Sequence, residues 1–171
     1  MLVKEDNVVI EQAIATYGQR LYGLCITLCH SKSDADDLYQ DTWIKVMMKL
    51  DQYDGNQPFE PWLTRICVNT YKDQRRSNIA KKLLDRFKTN EEKDDFLESA
   101  GTNQSEDYTF VHQAVQRLPQ KLRLVIILYY FQQANIKETA NLLHISEGTV
   151  KSRLHTARKQ LKEVLQDEIE F

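Results

Sequence analysis

The chain has 171 residues, 42% hydrophobic and 28% charged, with 23 Lys and Arg against 25 Asp and Glu for a formal net charge of −2. That length and apolar content leave room for one or two small soluble cores. The near-neutral balance excludes a generic nucleic-acid coat protein, whose sequence-independent affinity needs an excess of Lys and Arg, so any DNA binding must come from local patches.

Cys25, Cys29 and Cys67 are odd in number and sit in apolar, helix-like runs with no signal peptide ahead of them, which points to a reducing, cytoplasmic setting and not to a disulfide framework. No apolar run nears the roughly 20 residues of a membrane span, so no membrane insertion is expected. Only 5 Gly and 3 Pro punctuate the chain. Apolar residues recur at three-to-four spacing almost throughout, and this predicts an all-α architecture.

In chain order, the first run of interest is "LYGLCITLCHSKSD". Thiolates and an imidazole at Cys25, Cys29 and His30 belong to the metal-binding vocabulary, yet no fourth ligand is evident and the two cysteines lie one helical turn apart in an apolar stripe. Core cysteines and no metal are expected. Ser33 and Asp36 form a Ser-x-x-Asp capping signature that starts a helix at Asp34. Its apolar stripe takes in Ala35, Leu38, Tyr39, Trp43, Val46, Met47 and Leu50, while Asp34, Asp37, Asp41 and Lys45 form a mostly acidic one.

"DGNQPFEP", Asp54 to Pro61, reads as a turn-rich loop. The next helix begins near Trp62, with Trp62, Leu63, Ile66, Cys67 and Thr70 or Tyr71 available for a core side and Arg65, Asn69, Lys72, Asp73, Arg75 and Arg76 left for solvent. Lys81 and Lys82 extend this first basic patch. From Thr89 to Asp107 seven acidic residues are opposed by Lys93 alone, the pattern of an acidic flexible linker. It divides residues 1–88 from residues 108–171, two small helical domains.

In the second domain two helices meet at Pro119. A short helix over Ile136 to Leu143, a turn at His144 to Ser146 and a longer helix from Glu147 then make a helix-turn-helix, with small Ala140 at the crossing point. Ser146 caps the last helix and Glu147 suits its positive end. Val150, Leu154, Ala157, Leu161 and Leu165 form its buried stripe. Thr149, Ser152, Arg153 and Thr156 form a polar face of short hydrogen-bonding groups, and Lys151, Arg153, Arg158, Lys159 and Lys162 supply phosphate-binding charge.

Two domains, each with its own basic helix, resemble the extracytoplasmic-function (ECF) sigma factors, the smallest sigma-70-type initiation factors of bacteria. "SDADDLYQDTWIKVMMKLDQYD" with "FEPWLTRICVNTYKDQRR" is similar to sigma region 2, and "LPQKLRLVIILYYFQQANIKETANLLHISEGTVKSRLHTARKQL" to sigma region 4. The resemblance implies that Asp37, Leu38, Gln40 and Asp41 dock on the β′ clamp helices of core RNA polymerase. It implies that the loop from Asp54 to Pro61 and the helix from Trp62 to Arg76 melt and read the −10 element, with Asn69 helping to capture an extruded base. An amide's paired donor and acceptor suit that task. Arg65, Lys72, Arg75 and Arg76 would contact phosphates. Trp62 is either a stacking platform for an unpaired base or a core residue.

In region 4, Thr149, Lys151, Ser152, Arg153, His155, Thr156, Arg158 and Lys159 would meet the −35 element, and the helix from Pro119 to Phe131 the β flap, although Leu122, Val125, Ile126 and Tyr129 read equally as core. The linker would thread toward the RNA exit channel, or serve as a plain tether. Two positions depart from common patterns: His144 stands where many helix-turn-helix turns have Gly, and Thr156 where many relatives carry Arg, which removes a guanine-reading fork. An anti-sigma factor is a further implied partner. No enzyme is expected, since no G-x-x-x-x-G-K-[ST], H-E-x-x-H or G-x-S-x-G occurs, and no cofactor or small-molecule substrate follows. A stand-alone helix-turn-helix regulator is the alternative; it leaves the first basic helix without a task.

Overall fold

The computed structural model describes residues 2–88 and 106–169, with side chains described over residues 10–81 and 110–166. Regular structure among the described residues is entirely helical: α1 (Leu2–Leu28), α2 (Lys32–Met48), a short 3-10 turn (Leu50–Gln52), α3 (Phe59–Lys88), α4 (Glu106–Arg117), α5 (Gln120–Ile126) continued by a π-helical turn (Ile127–Phe131), α6 (Ile136–Leu143) and α7 (Glu147–Ile169). Two compact units divide them, one holding α1 up to Cys25 with α2 and α3, the other Ile26–His30 with α4 to α7. The acidic segment expected as a linker lies outside the described residues, except that Glu106 and Asp107 already open α4.

In the first unit, α2 starts at Lys32, two residues before the expected Asp34. Ser31 is the cap, its Oγ accepting from the Asp34 N–H at 3.1 Å. The sequence holds two overlapping Ser-x-x-Asp registers, and the earlier one wins because Asp36 is engaged elsewhere, accepting from Tyr22 Oη on α1 at 2.7 Å. Ala35, Leu38, Trp43 and Val46 are buried as expected, but Met47 is 49% exposed and Thr42 replaces it in the core. The helix itself satisfies that hydroxyl, which donates to the Leu38 carbonyl at 2.6 Å.

Helix α3 begins at Phe59, three residues before Trp62, because Pro61 falls in its first turn, where a missing N–H costs nothing. Leu63, Ile66, Cys67, Thr70 and Tyr71 face the core, and Cys25 Sγ lies 3.8 Å from Cys67 Sγ. Polar pairs fix the helices at the rim: Arg20 with Glu60 at 2.9 Å joins α1 to α3, while Lys45 with Asp73 at 3.2 Å and Gln74 Nε2 to Asp41 Oδ2 at 2.8 Å join α2 to α3. Gly18 permits the close approach of α1 and α2, since a Cβ there would sit 2.9 Å from Tyr39 Oη.

In the second unit, Leu124 to Leu128 are buried against Ala140, Leu142, Leu143, Val150, Leu154 and Ala157. Buried Arg123 donates from Nη1 to the carbonyl and to Oε1 of Gln116, each at 3.0 Å, which ties α5 back to α4 across Pro119. Asn135 and Glu138 form a reciprocal capping box at the start of α6, Asn135 Oδ1 accepting from Glu138 N at 2.9 Å and Glu138 Oε2 from Asn135 N at 2.8 Å. At the end of α6, His144 adopts φ 55° and ψ 48°, the left-handed conformation anticipated for that turn, and its N–H closes on the Ala140 carbonyl.

Candidate nucleic-acid interface

Ser146 caps α7, accepting at Oγ from the Thr149 N–H at 3.1 Å and lying 2.8 Å from Thr149 Oγ1. This fixes where the helix starts and therefore which residues face out. Val150, Leu154 and Ala157 are buried, while Leu161 and Leu165 of the expected stripe are half-buried as the helix leaves the core. Opposite them, Gly148, Ser152, Thr156 and Lys159 form the centre of the exposed side, at steps of four, four and three. Lys151 and Arg153 flank that line on either side. His155 is exposed beside it, and Thr149 is half-buried with its hydroxyl turned to the cap. A ridge of short polar groups with cations on its flanks fits a groove whose floor carries base edges and whose walls are phosphates.

Arg158 is exposed but already engaged. Its Nε donates to Tyr130 Oη at 2.8 Å, and its guanidinium carbon lies 5.8 Å from the Tyr129 ring centroid and 5.6 Å from that of Tyr130. The basic run Arg158-Lys159 therefore splits, one residue bracing the fold and one facing solvent. Val125 and Ile126 are buried and Leu122 and Tyr129 half-buried, so the most exposed apolar groups of α5 and its π-helical turn are Tyr130 and Phe131.

On α3, Trp62, Arg65, Asn69, Lys72 and Arg76 succeed one another by three, four, three and four residues and so occupy one strip. Trp62, Arg65, Asn69 and Lys72 are half-buried and Arg76 is exposed. Arg75 leaves that strip and continues the line of buried Thr64 and Val68; its Nε, like that of Arg65 on the strip, is enclosed by protein. Trp62 is part of the core on one side only. It packs 5.0 Å from Tyr53 and 5.4 Å from Phe59 between ring centroids, and Phe59 in turn lies 5.2 Å from Tyr17, yet one part of Trp62 remains open. These rings carry the loop before α3. Asp54 Oδ1 accepts from the Asn56 N–H at 3.0 Å, and Tyr53 Oη donates to the Gln57 carbonyl. Tyr53, Phe59 and Tyr17 escaped the sequence reading because they lie on three different elements.

On α2, Asp37, Gln40 and Asp41 are exposed, but Leu38 is fully buried, so it cannot itself present to a partner. Leu38 falls on the line of buried Ala35, Thr42 and Val46, at steps of three and four residues, and so turns inward. The exposed face instead runs Asp37, Asp41, Ile44 and Met48, with Met48 75% exposed. Ile44 and Met48 follow Asp37 by seven and eleven residues, a helical spacing visible in the sequence. Among the described residues no three His, Cys, Asp or Glu stand close enough to hold a metal ion, and no helix is long and apolar enough to cross a membrane.

Residues 13–80 match the family model of sigma-70 region 2, and residues 111–161 that of sigma-70 region 4. An RNA polymerase sigma factor, NccH of Alcaligenes xylosoxydans xylosoxydans, is 30% identical over 94% of this chain and 89% of its own. The chain belongs to the sigma-70 family. Within it, the ECF RNA polymerase sigma factor SigW of Bacillus subtilis is 28% identical over 96% of this chain and 92% of its own. Among solved structures, the sigma factor RpoE from Bartonella quintana, in complex with the anti-sigma factor NepR, superposes with a TM-score of 0.77 at 26% identity, over 91% of this chain and 96% of that one. As an ECF sigma factor, the protein is a transcription initiation factor that works with core RNA polymerase on promoter DNA. The basic strip of α3 belongs to its region 2 and the polar ridge of α7 to its region 4. A stand-alone regulator would leave the region 2 match unexplained.

Proposed function

We propose that region 4 reads the −35 element with Ser152, Thr156 and His155 of α7 at the base edges, Thr149 at their margin, and Lys151, Arg153 and Lys159 on phosphates. Region 2 reads the −10 element: Arg65, Lys72 and Arg76 hold the backbone, while Asn69 and the open part of Trp62 receive an unpaired base beside the loop of Asp54 to Pro61. Arg75 and Arg158 support these surfaces from the protein side. The exposed face of α2, with Asp37, Gln40, Asp41, Ile44 and Met48, docks on the β′ clamp helices, and Tyr130 with Phe131 meets the β flap.

The observation that supports this reading best is that two basic helices in separate units each carry one continuous polar strip, as a two-point grip on promoter DNA needs. In this account the working parts are residues 1–88 and 108–171, joined by the acidic segment between them. The protein acts in the cytoplasm, catalyses no reaction of its own and needs no cofactor. An anti-sigma factor holds it inactive; the RpoE structure of Bartonella quintana has such a partner.

The test is Asn69→Ala in reconstituted holoenzyme. Duplex promoter binding should stay within about twofold, while the yield of melted promoter, read by permanganate reactivity of unpaired thymines, falls about tenfold, the scale of one lost base contact. Equal loss of both would remove the base-capture role.

A further inference from the structure

Each hydroxyl at the centre of the α7 ridge donates to a carbonyl of its own helix. Ser152 Oγ donates to the Thr149 carbonyl at 3.0 Å, and Thr156 Oγ1 donates to the Ser152 carbonyl at 3.0 Å. A hydroxyl has one hydrogen and two lone pairs. With the hydrogen given to its own helix, each oxygen faces outward as an acceptor. Both residues are exposed, one helical turn apart, directly opposite buried Val150, Leu154 and Ala157.

In the major groove, adenine and cytosine present an exocyclic amine donor, whereas guanine and thymine present a carbonyl acceptor at the corresponding edge. We infer that Ser152 and Thr156 act as specificity-determining acceptors, which select amino bases (A or C) over keto bases (G or T) on one strand at two adjacent or near-adjacent base pairs of the upstream promoter element. A hydroxyl rotating freely would accept both classes, since Ser and Thr serve either role. Here the backbone bond sets the choice, and a keto base would bring acceptor against acceptor. The flanking cations, Lys151 and Arg153, are donors but lie off the central line, where phosphates run, and Lys159 lies on that line three residues beyond Thr156, toward the end of the ridge. Arg158, a further donor beside the ridge, gives its Nε–H to Tyr130. The inference rests on the proposal that α7 reads the upstream element.

The experiment uses the full chain assembled with core RNA polymerase. Duplexes derived from the promoter upstream of its own gene, randomised across the upstream element, are selected for binding and sequenced. Wild type should enrich A or C over G or T on one strand at two positions. Thr156→Val keeps the shape and removes the acceptor; it should reduce the preference at one of them roughly fivefold, the scale of one hydrogen bond, and leave the other intact. Ser152→Ala should do the converse. Thr156→Arg should convert the affected position toward G, because a guanidinium fork matches the O6 and N7 acceptors of guanine. Thermal melts of each variant confirm folding, and each variant tests its own position independently. Enrichment of keto bases at both positions, or profiles unchanged in Thr156→Val and Ser152→Ala, would overturn the acceptor assignment while leaving the promoter-reading role standing. Absence of any polymerase-dependent motif in the upstream element would overturn that role and the inference with it.

Discussion

Arg158 Nε donates a 2.8 Å hydrogen bond to Tyr130 Oη while its guanidinium lies over the Tyr129 and Tyr130 rings, so one of the two adjacent cations on α7 is committed to the fold. Each phosphate contact contributes about 0.9 to the slope of log affinity against log salt. Lys159→Ala should therefore lower that slope for holoenzyme binding to promoter duplex by about 1. Arg158→Ala should change it by less than half as much, and instead lower unfolding stability by about 0.5–1.5 kcal/mol, the worth of a cation–π contact and a hydrogen bond at an exposed site. Salt titrations and urea melts of the two variants separate the roles; equal slopes would remove the distinction.

Leu38 and Asp37 are neighbours in sequence and opposites in the structure. Leu38 is fully buried between helices, and Asp37 is exposed. Leu38→Ala should cost about 2–5 kcal/mol in a urea melt, since it leaves a cavity. Asp37→Ala should leave stability within about 0.5 kcal/mol. Its effect should appear in competition binding to core polymerase, as a loss of affinity reproduced by Met48→Ala. A stable Leu38→Ala protein with weakened polymerase binding would reverse the assignment.

These cases mark what the sequence could and could not tell. Helical periodicity located α2, α3, α6 and α7, and Ser146 and His144 were recognisable as the cap and turn around α7 because caps and left-handed turns depend on a few adjacent residues. The choice between Ser31 and Ser33 as the cap of α2 was not legible, since it turns on Asp36 being held by Tyr22, fourteen residues earlier. Nor was the packing of Arg158 beside Tyr130 or the place of Arg75 on the line of Thr64 and Val68. Both are basic residues in basic runs, and only the position of Tyr130, or the line through Thr64 and Val68, says where each side chain goes. Pattern gives the face of a helix; partners from distant segments decide which members of that face remain available.

His144 carries a left-handed backbone at φ 55°. A non-glycine residue pays about 1–3 kcal/mol for such a conformation, whereas glycine in the unfolded chain loses about 0.5–1 kcal/mol more entropy on folding. His144→Gly should therefore raise stability by a net of about 0–2.5 kcal/mol, and His144→Val, β-branched, should lower it by at least about 1 kcal/mol. Thermal melts of both variants check the sign; a stabilised valine variant would contradict the backbone assignment.

Tyr22 has its hydroxyl held above the ordinary value of 10.0, first by the hydrogen bond it donates to Asp36, then by desolvation and by repulsion from the same carboxylate. A raised value in the folded state means stability that is complete below the unfolded value and lost as pH climbs through the folded one. The melting temperature should fall above about pH 10. Tyr22→Phe should be less stable than wild type at neutral pH, and the gap between the two should narrow as pH rises past 10. A gap that widens in alkali would reverse the sign.

This chain directs core RNA polymerase to promoters, and run-off transcription tests that role most directly. Purified bacterial core polymerase is given a linear template carrying the region upstream of the protein's own gene, with and without the full chain. A discrete run-off transcript that appears only with the protein, and that Asn69→Ala reduces, is the predicted result. No stimulation on that template or on any fragment of the source genome would contradict it.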